Sequence, residues 1–573
     1  MDMRTYGKDF DRYYEQAKTV HGVRFVRSKV YGIEELDGTG ELSVRFTTED
    51  GKTRREPFDL VVLSAGLHPP KEGKELAEKL GIELDQYGFC KSREFMAVDT
   101  SRDGVFSCGA FNGPKDIPET VMQSSGAAAR AAALLASARH TLTRKKEYPA
   151  EKDVAGEEPR VGVFVCKCGI NIAGVVNVPD VTEYAKALPN VVFTDNNLYT
   201  CSQDTQEIIK QKILEHRLNR VVVASCSPRT HEPLFRETLK EGGLNQYLFE
   251  MANIRDQCSW VHAQDPTGAT EKAKDLVRMA VAKARLIEPL KRMAVDLTPS
   301  ALVIGGGMAG MTSALNLADQ GFEVSLVEKS ERLGGNANRI YRSLNGGDVQ
   351  AFLHQQIDRV MDHPKIRVYL GSRVADSSGY VGNFVTRLNV GNGAEEEVRH
   401  GVTILAIGGR EFKPEEYYYG KDERVLTGLE LEEGLALHPE RYANRDNVVM
   451  IQCVGSRNEE HPWCSRVCCA KSVKNALKLK ELNPEMNIYI LYRDMRTYGL
   501  MEDFFNEARE KGIVFLRFDP EDSPVVTKVR GHGKDLLQVE IKDALLGERF
   551  AIQTDLLQLA TAVLPPEGAQ PCD

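Results

Sequence analysis

The sequence predicts an α/β protein in three parts, two of them copies of one unit, and three observations carry that reading. The hexapeptide DMRTYG occurs at 2–7 and again, unchanged, at 494–499, each time ahead of an amphipathic helix and a short strand. A strand, a glycine-rich turn and an Ala/Leu-rich helix follow one another from residue 300. Between the copies, apolar runs of strand length (RVGVFVC, NVVFT, NRVVVASC) alternate with helical patterns such as TQEIIKQKILEH and TEKAKDLVRMAVAKARL.

The 573 residues are enough for several domains, each with a core of its own. A formal charge of -9 argues against a nucleic-acid surface or an anionic-membrane partner. No apolar stretch approaches the roughly 18 residues that span a bilayer, so no membrane insertion is expected. Met1 to Tyr6 contains no apolar export signal, so the cytoplasm is the expected compartment. In that reducing compartment the twelve cysteines are better suited to metal or redox roles than to disulfides.

The repeat sets the organisation. DFDRYYEQAK and EDFFNEAREK are the two helices, and VRFVR and VFLRF the strands after them. Each copy then reaches an apolar strand ending in prolines, DLVVLSAGLHPP at 59–70 and DLLQLATAVLPP at 555–566. Residues 1–145 therefore read as the back half of one unit and 298–573 as most of a second. A polar linker (146–159) and an α/β domain (160–297) lie between them. Such an order suits a fragment, a split-gene product or a permuted fusion. The closing strand and helix missing after residue 566 are expected from 1–145, in cis or from a second chain.

In SALVIGGGMAGMTSALNLADQGFEVSLVEKSERLGGNANR (300–339), each glycine has a task. Gly305 permits the tight turn, Gly307 lets the backbone approach a pyrophosphate, and Gly310 allows close helix–strand packing. Ala309 lies in the same turn. Glu328, at the end of the second strand and followed by Lys329, stands where a carboxylate accepts from ribose hydroxyls. The alternative is a tight turn without a ligand. Arg332-Leu333-Gly334-Gly335-Asn336 and VTILAIGGR (402–410, with Gly408) resemble the second glycine pair and the returning strand of flavoproteins with two dinucleotide-binding domains. That resemblance favours FAD over NAD. GVFSCGAFNGPKDIPETVMQSSGAAARAAALL (104–135) resembles the last strand and helix of such proteins, but Ala110 follows Gly109 where they carry an acidic residue.

In disulfide reductases of this type a second glycine loop binds NAD(P)H. Here the equivalent stretch, NVVMIQCVGSRNEEHPWCSRVCCAKSVKNALKLKE (447–481), keeps strand and helix but lacks those glycines. Cys453 ends the strand, and Cys464, Cys468 and Cys469 stand at the start of the helix. Four thiolates so placed suit a 4Fe–4S cluster or zinc. A Cys468–Cys469 dithiol and inert buried thiols are the other readings, although adjacent cysteines form only strained disulfides. A second set, Cys166, Cys168, Cys201 and Cys226, gathers at strand carboxyl ends, where open α/β sheets place their sites. A second cluster, zinc or packed free thiols all fit it. His231 reads as a loop histidine, and Cys90, Cys108, Cys258 and Cys572 as structural. No catalytic acid–base or nucleophile constellation stands out.

Together VCKCGINIAGVV, CSPRTHEPLFRETL, FEMANIRDQCSWVH, CVGSR…CSRVCC, DMRTYG and GPKDIPETV resemble the HdrA-type polypeptide of heterodisulfide reductase over nearly the whole chain. The resemblance implies a thioredoxin-reductase-like FAD domain with Cys453, Cys464, Cys468 and Cys469 on one cluster, and a cysteine-bearing domain matched by 160–285. It also implies electron transfer, with flavin-based bifurcation, beside other subunits of that enzyme and a hydrogenase or dehydrogenase module, in a hetero-oligomer open to homodimerisation. No CxxCxxCxxxCP run is present, so ferredoxin-type output is not expected. An NAD(P)H-dependent flavin disulfide reductase and a non-catalytic scaffold are the alternatives.

Overall fold

A computed structural model describes residues 3, 5, 8–48, 50–391, 393–531, 534–544 and 547–567. Asp2, Arg4, Tyr6 and Gly7 of the first hexapeptide, and Cys572, lie outside them. The chain forms two compact units, Met1–Arg139 with Asp296–Asp573, and His140–Val295. No helix among the described residues is long and apolar enough to cross a membrane.

The unit of 140–295 is a four-stranded parallel sheet in the order Val191–Asn197, Val161–Cys166, Arg220–Ser225, Phe249–Asn253. The two central strands are buried at every position, because helices cover both faces. On one face Val161, Val163 and Val165 pack with Ala273 and Val277; on the other Phe164 meets Ile209, Ile213 and Phe235. The chain runs from the first strand to one neighbour and then crosses to the other side. The carboxyl ends of Val161–Cys166 and Arg220–Ser225 therefore flank the switch point where such sheets place their ligands. Segment 146–159 lies along this unit: Val154 is buried in its core and the Lys152 N–H donates to the Gly243 carbonyl.

The larger unit holds two parallel sheets, each with an antiparallel meander. The first runs Ile366–Tyr369, Glu323–Val327, Ser300–Ile304, Val402–Leu405. Its first strand enters the glycine turn and the helix Met308–Asp319. Close approach makes two of these glycines obligatory. A Cβ on Gly310 would stand 1.7 Å from the Gly305 carbonyl oxygen, and one on Gly305 2.3 Å from that of Ala406. The second sheet runs Val425–Thr427, Leu556–Thr561, Asn447–Val454, Asn487–Tyr492, Val514–Arg517. The fold is thus the two-dinucleotide-binding-domain architecture expected, beside a separate α/β domain.

The N-terminal copy folds differently from its twin. Its meander, Ser28–Glu35, Leu42–Thr48 and Thr53–Phe58, repeats that of Val525–Gly531, Lys534–Lys542 and Arg549–Thr554. The strands expected in VRFVR and in 59–70 do not form: neither segment is paired, and Leu60, Val62 and Leu63 are 75%, 81% and 76% exposed. The matching strand Leu556–Thr561 is fully buried, because Val425–Thr427 and Asn447–Val454 flank it. A parallel strand needs a paired neighbour and covered faces, and the segment 59–70 has no paired neighbour. The expected last strand at 104–108 is reduced to a single bridge, Asp99 with Phe106.

Residues 86–139 close the larger unit in cis. Phe95 stacks on Phe352 with centroids 4.7 Å apart, Ser343 Oγ donates to Glu94 at 2.6 Å, and the Tyr87 hydroxyl donates to Asp503 at 2.7 Å. Two substitutions test these cores by chemical denaturation. Phe164→Ala should cost about 3–5 kcal/mol in the smaller unit. Gly310→Ala should destabilise the larger one by at least about 1–3 kcal/mol through overpacking, with the smaller unit's transition unmoved.

Candidate functional site

The glycine turn presents backbone rather than side chains. Gly307 begins the helix without a side-chain cap, leaving its first N–H groups to an incoming anion. A Cβ there would meet nothing within 4 Å, as at Gly408. Glu328 is buried; one oxygen accepts from the Gly306 N–H at 2.6 Å and the other from Ser330 N–H at 2.8 Å. These bonds fix the turn and leave each carboxylate oxygen a further lone pair for a hydroxyl donor. Gly334 and Gly335, both at positive φ, bring the second glycine pair against the first, with Gly334 N–H donating to Gly306 O at 2.8 Å. Asn336 donates to the Gly409 carbonyl at 2.8 Å and so ties this pair to the returning strand. Ala309, Lys329, Asn336 and Gly408 are exposed, as are Leu405 and Ile407 beside them. The groove therefore joins phosphate-type N–H donors to apolar surface.

The helix Ile117–Leu134 starts with Asp116 capping the Glu119 N–H at 2.7 Å. Lys115 donates to the Gly109 and Gly113 carbonyls at 2.7 and 2.9 Å, and burial holds its pKa below the usual lysine range, against the pull of Glu119. Gln123 accepts from the Gly109 N–H at 2.9 Å, so a neutral amide faces this turn, where an acidic residue is missing at Ala110. Glu119 in the first turn pairs with Arg466, which also donates to the Tyr498 hydroxyl at 2.8 Å. This ion pair joins the helix to the loop between Cys464 and Cys468.

Cys453 ends the strand Asn447–Val454 at positive φ, Cys464 lies in the following loop, and Cys468 and Cys469 open the helix Cys468–Leu482. The thiols are buried or half-buried. Cys468 Sγ lies 3.5 Å from the Thr561 carbonyl and Cys469 Sγ 3.9 Å from that of Asp494, while the Arg466 N–H donates to Cys464 Sγ at 3.4 Å. Burial, then the Cys453 charge, pushes the Cys468 thiol up to about 12, and raises Cys469 too. Burial also raises Cys453, with Arg457 and Arg493 pulling it back. The four sulfurs thus lie within range of one another's charge, though no three His, Cys, Asp or Glu side chains among the described residues converge as a single ion requires.

In the smaller unit Cys166 closes its strand, and Cys226 follows Ser225 at the end of the adjacent one. Cys168 lies two residues beyond Cys166, and burial, then that neighbour, pushes its thiol up to about 11. Cys201 is raised by burial and by Cys166, and the Arg255 charge opposes this at Cys168 and Cys201. Cys258 is wholly buried, its Sγ donating to the Ala269 carbonyl at 3.1 Å, and Cys90 is buried as well. Sequence reasoning missed a charged layer behind the first cysteine set: Arg457, Arg493 and Arg496, with Asp494 and Asp11. Most of these residues lie in or beside the repeated hexapeptide, whose recurrence by itself speaks only of organisation.

Two family models match the chain: pyridine nucleotide-disulphide oxidoreductase over residues 1–131 and NAD(P)-binding Rossmann-like domain over 303–359. An HdrA-type relative in Methanopyrus kandleri, the second of that organism's iron-sulfur polypeptides of this kind in CoB–CoM heterodisulfide reductase, is 38% identical over 510 residues, covering 73% of this chain and 77% of its own. The corresponding polypeptide of the H(2):CoB-CoM heterodisulfide,ferredoxin reductase of Methanothermobacter thermautotrophicus is 36% identical, with the same coverage of both chains. A thioredoxin reductase of T. acidophilum aligns with 46% of this chain and 77% of its own, at 18% identity and a TM-score of 0.32, too loosely to bear on function. With its glycine turn, its cysteine-bearing strand and helix, and this identity over most of both lengths, the chain belongs to the HdrA family of heterodisulfide reductase oxidoreductases.

Proposed function

We propose that this chain is the FAD- and iron–sulfur-dependent electron-transfer subunit of a heterodisulfide-reductase-type complex. The observation that carries it is the group of buried or half-buried thiols, Cys453, Cys464, Cys468 and Cys469, standing where a nucleotide-binding loop would otherwise follow the strand. The donor chemistry fits such a centre: four soft sulfur ligands gathered at one strand end and the start of the next helix, with guanidinium N–H groups behind them that find no acceptor among the described residues. The turn at Gly305, Gly307 and Gly310, with Glu328, Gly334, Gly335 and Gly408, would hold FAD. Bound there, flavin exchanges electron pairs for the single electrons that an iron–sulfur centre carries.

The protein's own groups would do the rest. Backbone N–H groups of the helix Met308–Asp319 take the pyrophosphate, Glu328 holds the turn, and the helix Ile117–Leu134 offers its N-terminal dipole to the ring. The Glu119–Arg466 pair fixes that helix against the cysteine loop, setting the distance over which an electron passes. Cys166, Cys168, Cys201 and Cys226 would hold a second centre at the switch point of the smaller unit. The reading extends to cytoplasmic partners: other subunits of the heterodisulfide reductase type, which handle the substrate, and a hydrogenase or dehydrogenase module. Sharing of electron pairs between acceptors of high and low potential would follow from that assembly.

Anaerobic quantitation of flavin, iron and sulfide tests the reading. One flavin with about four irons is expected for one cluster and about eight for two. Cys453→Ser should remove the iron of one centre and leave the flavin in place. An iron-free flavoprotein bleached by NADH would instead identify a disulfide reductase, and a colourless protein a scaffold.

A further inference from the structure

The layer behind Cys453 is unusual in its charge. Arg457 follows Cys453 by four residues, and Arg493 and Arg496 leave the end of the strand Asn487–Tyr492, which pairs in parallel with Asn447–Val454. Topology therefore brings all three guanidinium groups to the strand ends where the thiols sit. The Arg457 and Arg496 side chains are 6% and 3% exposed. Two carboxylates answer them. Asp494 accepts from Arg457 at 2.9 Å and stands 3.5 Å from Arg496; Asp11, only 3% exposed, accepts from Arg496 at 2.8 Å and from Arg457 at 3.2 Å. Arg493 donates to the Arg457 carbonyl at 2.8 Å.

Three guanidinium groups face two carboxylates, and Arg517, which donates to the Arg493 carbonyl at 3.3 Å, adds to the positive side, so cationic charge is in excess. Arg457 Nη1, Arg493 Nε, and Arg496 Nε and Nη1 are buried with no hydrogen-bond acceptor among the described residues. Arginine stays protonated, so these N–H groups cannot escape the cost by losing a proton. An anion beside them relieves it. The sulfurs at the same strand ends are candidates: all three arginines act on Cys453, and Arg496 also on Cys464.

We propose that Arg457, Arg493 and Arg496 set the reduction potential of the centre held by Cys453, Cys464, Cys468 and Cys469, with Asp11, delivered by the N-terminal repeat, as the opposing charge. The inference rests on the proposed iron–sulfur centre. Each electron that enters such a centre adds one negative charge to a site of low dielectric. A buried guanidinium stabilises the reduced form more than the oxidised one and raises the potential; a buried carboxylate lowers it. Asp11 lies on the helix Lys8–Thr19, directly after the first hexapeptide. The N-terminal copy thus serves the second one by trimming the charge at its redox centre. These are tuning residues and touch no substrate.

The test is an EPR-monitored redox titration of the full chain, purified anaerobically, as wild type, Arg496→Gln, Arg496→Lys and Asp11→Asn. Arg496→Gln should lower the midpoint and Asp11→Asn raise it. Each should change the reduced-to-oxidised ratio at fixed poise about tenfold, or about 59 mV for one electron. Arg496→Lys should restore most of the wild-type value. If Arg496→Gln does not fold, the upward shift of Asp11→Asn decides. A centre present at full iron content whose midpoint is unmoved by these changes, or moves the same way in both, overturns the inference alone. Wild-type protein without iron overturns the underlying reading and the inference with it.

Discussion

The larger unit depends on how a handful of buried charges is balanced at the carboxyl ends of Asn447–Val454 and Asn487–Tyr492. Removing an ion from water costs several kcal/mol, so buried charges persist only where partners and hydrogen bonds surround them. Asp494 pairs locally with Arg457 and Arg496, but the remaining carboxylate, Asp11, arrives from almost the other end of the chain. The packing of the N-terminal helix and the electrostatics of the cysteine pocket are therefore one problem. Neither segment satisfies its charges alone.

The same division of labour holds elsewhere in the unit. The first parallel sheet and the glycine turn belong to 300–405, while the capped helix facing them is Ile117–Leu134. Glu119 and Arg466 carry that arrangement on to the cysteine loop. The glycine turn, the connecting ion pair and the cysteine loop are thus built from both ends of the chain. The smaller unit is self-contained, with two apolar faces and its own set of thiols at the switch point of its sheet.

Loss of the second glycine loop shapes the chemistry open to this fold. Where the related architecture offers backbone N–H groups to a pyrophosphate, this strand turns at Cys453 with positive φ and feeds a helix that begins with two cysteines. The glycines that would seat a nicotinamide dinucleotide are absent there, and soft sulfur donors stand in their place. The strand, the helix and their buried contacts remain.

Much of this was legible in the residues themselves. Apolar runs and glycine spacing fixed the parallel sheets, because a strand covered on both faces must be apolar throughout and a Cβ at Gly310 has nowhere to go. Cys453, Cys464, Cys468 and Cys469 stood out by spacing alone. Pairing partners were not legible. DLVVLSA and DLLQLAT carry equivalent local signals, yet only the second forms a strand, because strand formation is decided by neighbours distant in sequence. The arginine layer was hidden for the same reason: an arginine looks like a solvated surface residue until the fold closes over it. Local pattern determined which segments can form elements and which residue types could bear chemistry. Only the tertiary structure decided which elements are completed, and that Asp11 and Arg496, 485 positions apart, share one buried charge balance.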